Sequence, residues 1–248
     1  MKVVSPFRPF APESDEHVAL DAFDWIGALR MLAASVAATC DGAPTFAIGD
    51  ADSPLPVPAY YYRTARRRLM LWILEVSLAY IGSDDFDDDT VMISPDLLVL
   101  DDLRRWWMPA ALGVVLRLDE KFRAVSPLLN SVQFWRRRNK SQLADFYGAV
   151  LERAEALPER SIRWGADTEP LVELLEPLSL GFTYRRGLKV YGYDGSMILS
   201  ALKGSDIRRL EAGRPPKARL EPILDFRSLR KRYMAAYFAS AFQEAIAG

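Results

Sequence analysis

Apolar positions along this chain switch between two periods, and the switches mark its elements. Val3-Val4 is a short apolar run that stops at Ser5-Pro6-Phe7-Arg8-Pro9, where the prolines predict an irregular loop after a first strand. Leu20, Phe23, Ile26, Leu29, Ala33 and Val36 then recur at three- and four-residue spacing, the period of a helix with one buried face. Thr45-Phe46-Ala47-Ile48 predicts a second strand ending at Gly49-Asp50-Ala51-Asp52, followed by a proline-rich link over 54–58. A second helix is predicted from about 60 to 81, burying Leu69, Trp72, Ile73, Val76 and Tyr80. Val91-Met92-Ile93 and Leu97-Leu98-Val99-Leu100 both read as strand, yet Ser94-Pro95-Asp96 is wedged between them, and proline cannot donate to a ladder. Residues 112–118 and 131–135 predict two further strands. Ser141 is the expected cap of a helix carrying Leu143, Phe146, Tyr147, Val150 and Leu151. A shorter helical segment covers 167–178. Asp194-Gly195, between 189–191 and 197–199, predicts a hairpin. From about 228 to 246 the pattern is helical again, with Leu229, Tyr233, Ala236, Tyr237 and Ser240 on one side.

Strands alternating with helices imply a mostly parallel sheet covered on both faces, with the hairpin as an antiparallel edge. Ligands of such sheets bind beyond the carboxyl ends of the strands, so the loops after Val4, Ile48 and Ile93 carry the interest. At 248 residues and 50% hydrophobic content, the chain suits one large α/β domain or one domain with a small appendage. With one cysteine (Cys40) and one histidine (His17), neither a disulfide framework nor a Cys/His zinc cluster can form. No disulfide-linked or zinc-mediated partner is expected, and any nucleophile triad would have to use His17. A metal would need oxygen ligands, which favours Mg²⁺ or Mn²⁺. Residues 1–10 lack a signal-peptide core, and the apolar stretch 69–81 is short and broken by Glu75, so a cytoplasmic protein with no membrane partner is expected.

The net charge of −1 conceals an uneven distribution. Between Lys203 and Arg232 ten basic residues face four acidic ones, while Asp84, Asp85, Asp87, Asp88 and Asp89 read as a solvated acidic loop. Arg66-Arg67-Arg68 and Arg136-Arg137-Arg138 with Lys140 form two more basic clusters. Such clusters either bind phosphates or cover helix faces beside acidic neighbours. Tyr60-Tyr61-Tyr62 is a core element or, less simply, a stacking platform for bases.

Four short motifs could carry chemistry. Asp96, at a break between buried apolar runs, either reaches a cleft or sits on a solvated bulge. Asn130, in Leu129-Asn130-Ser131, stands at a strand entrance, where it often serves a turn. Asp167, in Trp164-Gly165-Ala166-Asp167, could simply cap a helix. Lys203, in Leu202-Lys203-Gly204-Ser205, could hold a phosphate beside flexible backbone. Asp50-Ala51-Asp52 is a literal D-x-D, but it follows the second strand and comes early.

In this order the motifs resemble the GT-A type of nucleotide-sugar glycosyltransferase. The family carries a D-x-D on a divalent metal, an N-S-G segment, a W-G-x-D segment lining the sugar site, and an H-x-K-G segment closing over the diphosphate. Here the corresponding segments are Ser94-Pro95-Asp96, Asn130-Ser131-Val132, Trp164-Gly165-Ala166-Asp167 and Ala201-Leu202-Lys203-Gly204. One carboxylate, the glycine and the late metal-binding histidine are therefore missing. The resemblance implies a GT-A-like (Rossmann-like) α/β fold, with a catalytic domain over 1–205 and a basic C-terminal helical extension over 206–248 packed on it. It implies a nucleoside-diphosphate sugar, such as a UDP-sugar, as donor. Pro6, Phe7, Arg8, Arg67, Ser94, Asp96, Asn130, Trp164, Gly165 and Lys203 would bind it. Asp167 would be the catalytic carboxylate, deprotonating the acceptor or orienting the sugar. Asp96 would be the remaining ligand for a Mg²⁺ or Mn²⁺ ion, unless basic side chains replace that ion.

Lys2-Val3-Val4-Ser5-Pro6-Phe7-Arg8-Pro9, Leu69-Met70-Leu71-Trp72 and Ser94-Pro95-Asp96 look in addition like the phage-encoded TET-associated glycosyltransferases. That likeness implies 5-hydroxymethylcytosine in DNA as acceptor and a host-cytoplasmic location, and from the clustering of basic residues near the C-terminus Arg208, Arg209, Lys217, Arg230 and Lys231 are expected to contact DNA. The competing readings are a nucleotidyltransferase of related fold and a non-catalytic DNA-binding or scaffold module with a degenerate sugar-nucleotide site.

Overall fold

The central strands are buried on both faces, and their alternate residues divide between two cores. The computed structural model describes residues 1–8, 23–49, 55–64, 69–118, 126–158, 168–217, 219, 221–226 and 228–242. Among them, β1 (Lys2–Pro6), β2 (Thr45–Gly49), β3 (Ala59–Tyr61), β4 (Thr90–Ile93), β6 (Leu112–Leu116), β7 (Leu128–Trp135), β8 (Gly181–Arg185) and β9 (Leu188–Asp194) form one sheet. Its order is β3-β2-β1-β4-β7-β6-β9-β8. β7 and the edge strand β8 run antiparallel to their neighbours and the other pairings are parallel. The expected mixed, mostly parallel α/β architecture is therefore the observed one.

Val4, Met92, Leu112, Val114, Leu116 and Trp135 point to one face, where they meet α2 (Leu69–Gly82), α3 (Lys140–Glu155) and α4 (Thr168–Leu175). Val3, Val91, Ile93, Val115, Val132 and Phe134 point to the other, against α1 (Trp25–Thr39). This is the period-two alternation of a sheet covered on both sides. α2 carries Tyr80 into the first core, fully buried, with its hydroxyl 3.0 Å from Thr90 Oγ1.

On the α1 side lies a second, three-stranded sheet ordered β10-β11-β5, from β10 (Leu199–Ala201), β11 (Ile223–Asp225) and β5 (Leu97–Val99). Ser35 of α1 ties it down, because its buried hydroxyl accepts the Val99 N–H at 3.0 Å while donating to Leu32 O at 2.7 Å. Leu98, Leu224, Phe226, Met234, Tyr237 and Phe238 join Ala28 and Leu202 in a third cluster. The C-terminal segment thus supplies the middle strand of the small sheet as well as α7 (Met234–Ala241).

Three expectations need correction, and one gains detail. Tyr60 and Tyr61 lie in β3, and helix α2 begins at Leu69. The two strand segments expected on either side of Ser94-Pro95-Asp96 are both present, and at that break the chain leaves the large sheet and enters the small one. Ser141 does not cap α3. The helix starts at Lys140 out of a 3-10 turn over Arg137–Asn139, a turn set by Asp89, which accepts Arg137 N–H at 2.8 Å and pairs with Arg136 at 2.6 Å. Asp194-Gly195 is not a hairpin turn either. The hairpin is β8–β9, turning at Arg186 and Gly187, both with positive φ (49° and 77°), the geometry that favours glycine at the second position. Asp194 instead accepts from Ser196 N–H at 2.8 Å and starts the short helix α5 (Gly195–Ile198).

The aspartate loop is also more than solvated. Tyr62 donates to Asp85 at 2.6 Å and Lys2 pairs with Asp87, so the loop pins β1 and the segment after β3. Together with Pro109 and Arg136-Arg137-Arg138, Asp87-Asp88-Asp89 line a charged cleft of about 560 Å³. That cleft lies at the amino ends of the parallel strands, away from the edge where such sheets bind ligands. No helix of the described residues is long and apolar enough to cross a membrane.

Candidate functional site

β1, β2, β4, β6 and β9 all point their carboxyl ends to one edge, which gathers Phe7, Ser94, Arg117 and Asp194. Phe7 continues the ladder by donating to Ile48 O at 3.0 Å, and its ring is buried. Arg8, the next residue, lies 5.7 Å over the ring of Trp72. Gly195 marks a close approach at the far side of this edge, since a Cβ there would stand 2.4 Å from Leu116 O.

Asn130 reaches the edge through an irregularity. β6 pairs Val114 with Gln133 but the next residue, Val115, with Leu129, so Asn130-Ser131-Val132 bulge away from β6 and stay beside β4. Ser94 N–H donates to Ser131 O at 2.9 Å across that seam. Bulges of this kind re-aim side chains next to sites. The Asn130 amide oxygen is held by Gln133 Nε2, and Gln133 Oε1 accepts in turn from Trp135 Nε1 (2.9 Å) and the Tyr147 hydroxyl. Gln133 was not among the sequence-derived site residues. Its signal was a glutamine inside the apolar run Val132-Gln133-Phe134-Trp135, a polar group that must find partners when buried.

The acidic motif sits where the two sheets part. Asp96 follows β4 and precedes β5, and its carbonyl accepts Phe226 N–H at 3.2 Å. The small sheet sets Leu97, Asp225 and Ala201 level with one another, so Lys203, two residues beyond Ala201, leaves the sheet on the same side as Asp96. Lys203 is exposed at the start of α6 (Gly204–Glu211), where its N–H donates to Asp206 at 3.2 Å. Asp206, fully buried, pairs with Arg219 and also accepts from Lys217 N–H, which braces the segment after Lys203.

Lys231 departs from its expected place on a DNA-facing surface. It comes from a 3-10 turn over Ser228–Tyr233 and points inward, its ammonium 2.9 Å from Asp96 Oδ2. The same ammonium lies 3.9 Å from the Trp25 ring centroid and 5.3 Å from that of Phe23, at the start of α1. Its side chain is 10% exposed and that of Asp96 17%. Arg208, Lys217 and Arg230 are exposed, and Arg209 is partly committed to Pro215 O at 2.6 Å. Arg67, Trp164, Gly165 and Asp167 lie outside the described residues.

The sequence matches no protein-family model and no curated protein. Solved structures do match. A glycosyltransferase involved in glycosylation of the major capsid of PBCV-1 superposes with a TM-score of 0.58 at 8% identity, over 94% of this chain and 98% of that one. The galactosyltransferase LgtC, solved with donor and acceptor sugar analogues, gives 0.55 at 14% identity over 100% and 95%. The glycosyltransferase GlyE of Streptococcus pneumoniae TIGR4, in its apo form, gives 0.57 at 10% identity over 99% of this chain, which spans 63% of that one. The chain has the GT-A fold. At these identities the likeness is one of architecture, and the chemistry has to come from the residues.

GT-A enzymes use nucleotide-sugar donors and often a divalent metal. The described residues around Asp96 do not fit such an ion. A hard divalent cation wants several oxygen ligands and more than one negative charge. Among the described residues no group of three or more His, Cys, Asp or Glu side chains could hold a metal. The carboxylate of Asp96 is already taken by the Lys231 ammonium.

Proposed function

We propose that the chain is a glycosyltransferase that moves a sugar from a nucleoside-diphosphate sugar to a hydroxyl acceptor. The observation that carries this reading is the convergence of Lys203, Lys231 and Asp96 at the carboxyl edge of a GT-A sheet, on the edge that also carries Arg8. During transfer the bond from the sugar's anomeric carbon to the diphosphate breaks, and a bond to the acceptor oxygen forms. The departing diphosphate gains negative charge, so cations fixed beside it lower the barrier. Lys203 and Arg8 take that part. Asn130, held by Gln133, offers an oriented amide to the sugar or its phosphates. Asp167 receives the acceptor's proton or orients the sugar hydroxyls.

For the acceptor we favour 5-hydroxymethylcytosine in DNA. Support comes from the exposed cations Arg208, Lys217 and Arg230 on the basic C-terminal segment, which suit a phosphate backbone. A duplex acceptor base would have to be flipped out to reach the edge.

The test is mass spectrometry of hydroxymethylated and unmodified DNA after incubation with a panel of nucleotide-sugars, alongside donor hydrolysis without DNA. A hexose-sized mass gain on hydroxymethylated DNA alone is the expected result, lost in a folded Asp167→Asn variant. Donor hydrolysis without DNA modification would move the acceptor to another hydroxyl. No donor binding or turnover with any nucleotide-sugar would leave a non-catalytic module.

A further inference from the structure

Resting on the nucleotide-sugar reading, we propose that Lys231 occupies the position a divalent ion holds in metal-dependent relatives, and that this chain binds its donor's diphosphate without a metal. Three observations lead there. First, the acidic motif retains one carboxylate, Asp96, at the seam between the sheets, and Lys231 approaches it to 2.9 Å. Second, the ammonium is not a stray surface charge. It comes from a distant part of the chain, sits 3.9 Å from the Trp25 ring centroid and 5.3 Å from that of Phe23, and is nearly removed from water. A cation held over aromatic faces and against a carboxylate is positioned, which is what a bridging ion must be. Third, an ammonium has three N–H donors. Among the described residues Asp96 is the hydrogen-bonding partner of Lys231, and an ammonium held by one carboxylate can donate to phosphate oxygens as well.

Charge gives the same direction. Asp96 alone would repel a diphosphate, and a metal would overcome that repulsion by binding both. Lys231 cancels the Asp96 charge with an ion that the protein itself supplies. Lys203, leaving the small sheet on the same side, adds a further positive charge. Lysine is a compact point charge with three rotatable donors, so one ammonium can face a carboxylate and phosphate oxygens together.

The test is calorimetric binding of UDP, ADP, GDP and TDP to the full chain, in EDTA and in millimolar Mg²⁺ or Mn²⁺. At least one diphosphate is expected to bind with an affinity that changes less than about threefold between the two conditions. Lys231→Met keeps the packing on Trp25 and Phe23 but removes the charge. It should weaken that binding about tenfold or more in EDTA, as loss of a charge-assisted hydrogen bond does. Because this variant leaves Asp96 unpaired, it will also be less stable. The double variant Asp96→Asn/Lys231→Met should recover the lost thermal stability but, with the Asp96 repulsion gone and the direct phosphate contact still missing, only part of the lost affinity. Binding that requires the divalent ion, wild-type affinity in Lys231→Met, or fully restored affinity in the double variant would each overturn the proposal. Absence of diphosphate binding under every condition would overturn the nucleotide-sugar reading itself, and the role of Lys231 with it.

Discussion

Tyr80 shows how much one buried side chain contributes beyond its packing. Burial is the main reason its hydroxyl is pushed up to about 12, with Thr90 and Lys2 acting in the opposite direction. The folded state therefore holds the Tyr80 proton where the unfolded chain would release it near pH 10. Stability from this group is complete below pH 10 and drains away as pH rises towards 12, since the native state is then the one with more protons bound. A shift of this size corresponds to about 2–3 kcal/mol. Tyr80→Phe should lose the hydrogen bond to Thr90 and yet flatten the fall in stability between pH 10 and 12; urea titrations at several pH values would show it. At this scale the sequence was partly legible. Asp96 could be found because proline cannot continue a strand, so a carboxylate beside Pro95 had to stand at a break. Lys231 could be counted as basic but not placed. Nothing local distinguishes it from Arg230 or Arg232, and its partners Asp96, Trp25 and Phe23 are remote in sequence.

Among the elements, long apolar runs were readable and short ones were not. β1, β2, β4 and β6 follow from Val, Ile and Leu alternating between two cores. β3 was missed because three residues, Ala59–Tyr61, are too few to show a period and lie just before the helical pattern of α2. Asp194-Gly195 has the composition of a hairpin turn, but the glycine serves close contact with Leu116 O and the aspartate caps α5. The true turn, Arg186-Gly187, hides because arginine is uncommon at positive φ. Gly187→Ala would place a side chain at φ 77° and should cost about 1–2 kcal/mol. Ser141→Ala, by contrast, should change stability by no more than about 0.5 kcal/mol, because Ser141 is an exposed residue inside α3 and not its cap. Thermal melts of the two variants side by side would check both values.

For the molecule as a whole, near-neutral charge is the sum of regions with different work. The aspartate loop braces the amino edge of the sheet through Lys2, Tyr62 and Arg136. The basic clusters likewise divide. Arg136 and Arg137 engage Asp89 at that amino edge, whereas Lys203 and Lys231 lie at the carboxyl edge. Composition could report the excess of charge but not the edge to which the topology sends it. The same topology makes the C-terminal segment part of the core. A chain ending at Ser205 would lack β11, the middle of the small sheet, and would uncover Leu98, Ala28 and Leu202. It should bind the dye ANS and lose near-ultraviolet circular dichroism while keeping much helical signal, the behaviour of a loosened core. A sharp, native-like melt from that truncated chain would show the segment to be dispensable.

β11 also sets an order of events during synthesis. Leu97–Val99 leaves the ribosome well before Ile223–Asp225, so at ordinary elongation rates its paired edge waits roughly ten seconds for a partner. Through that interval Leu98 lacks the cover that Leu224 and Phe226 give it, and Asp96 lacks the Lys231 ammonium. The nascent chain passes through a stage at which its fold is largely spelled out but the carboxyl edge of its sheets is unfinished, and a chaperone that shields apolar strands would find its substrate there.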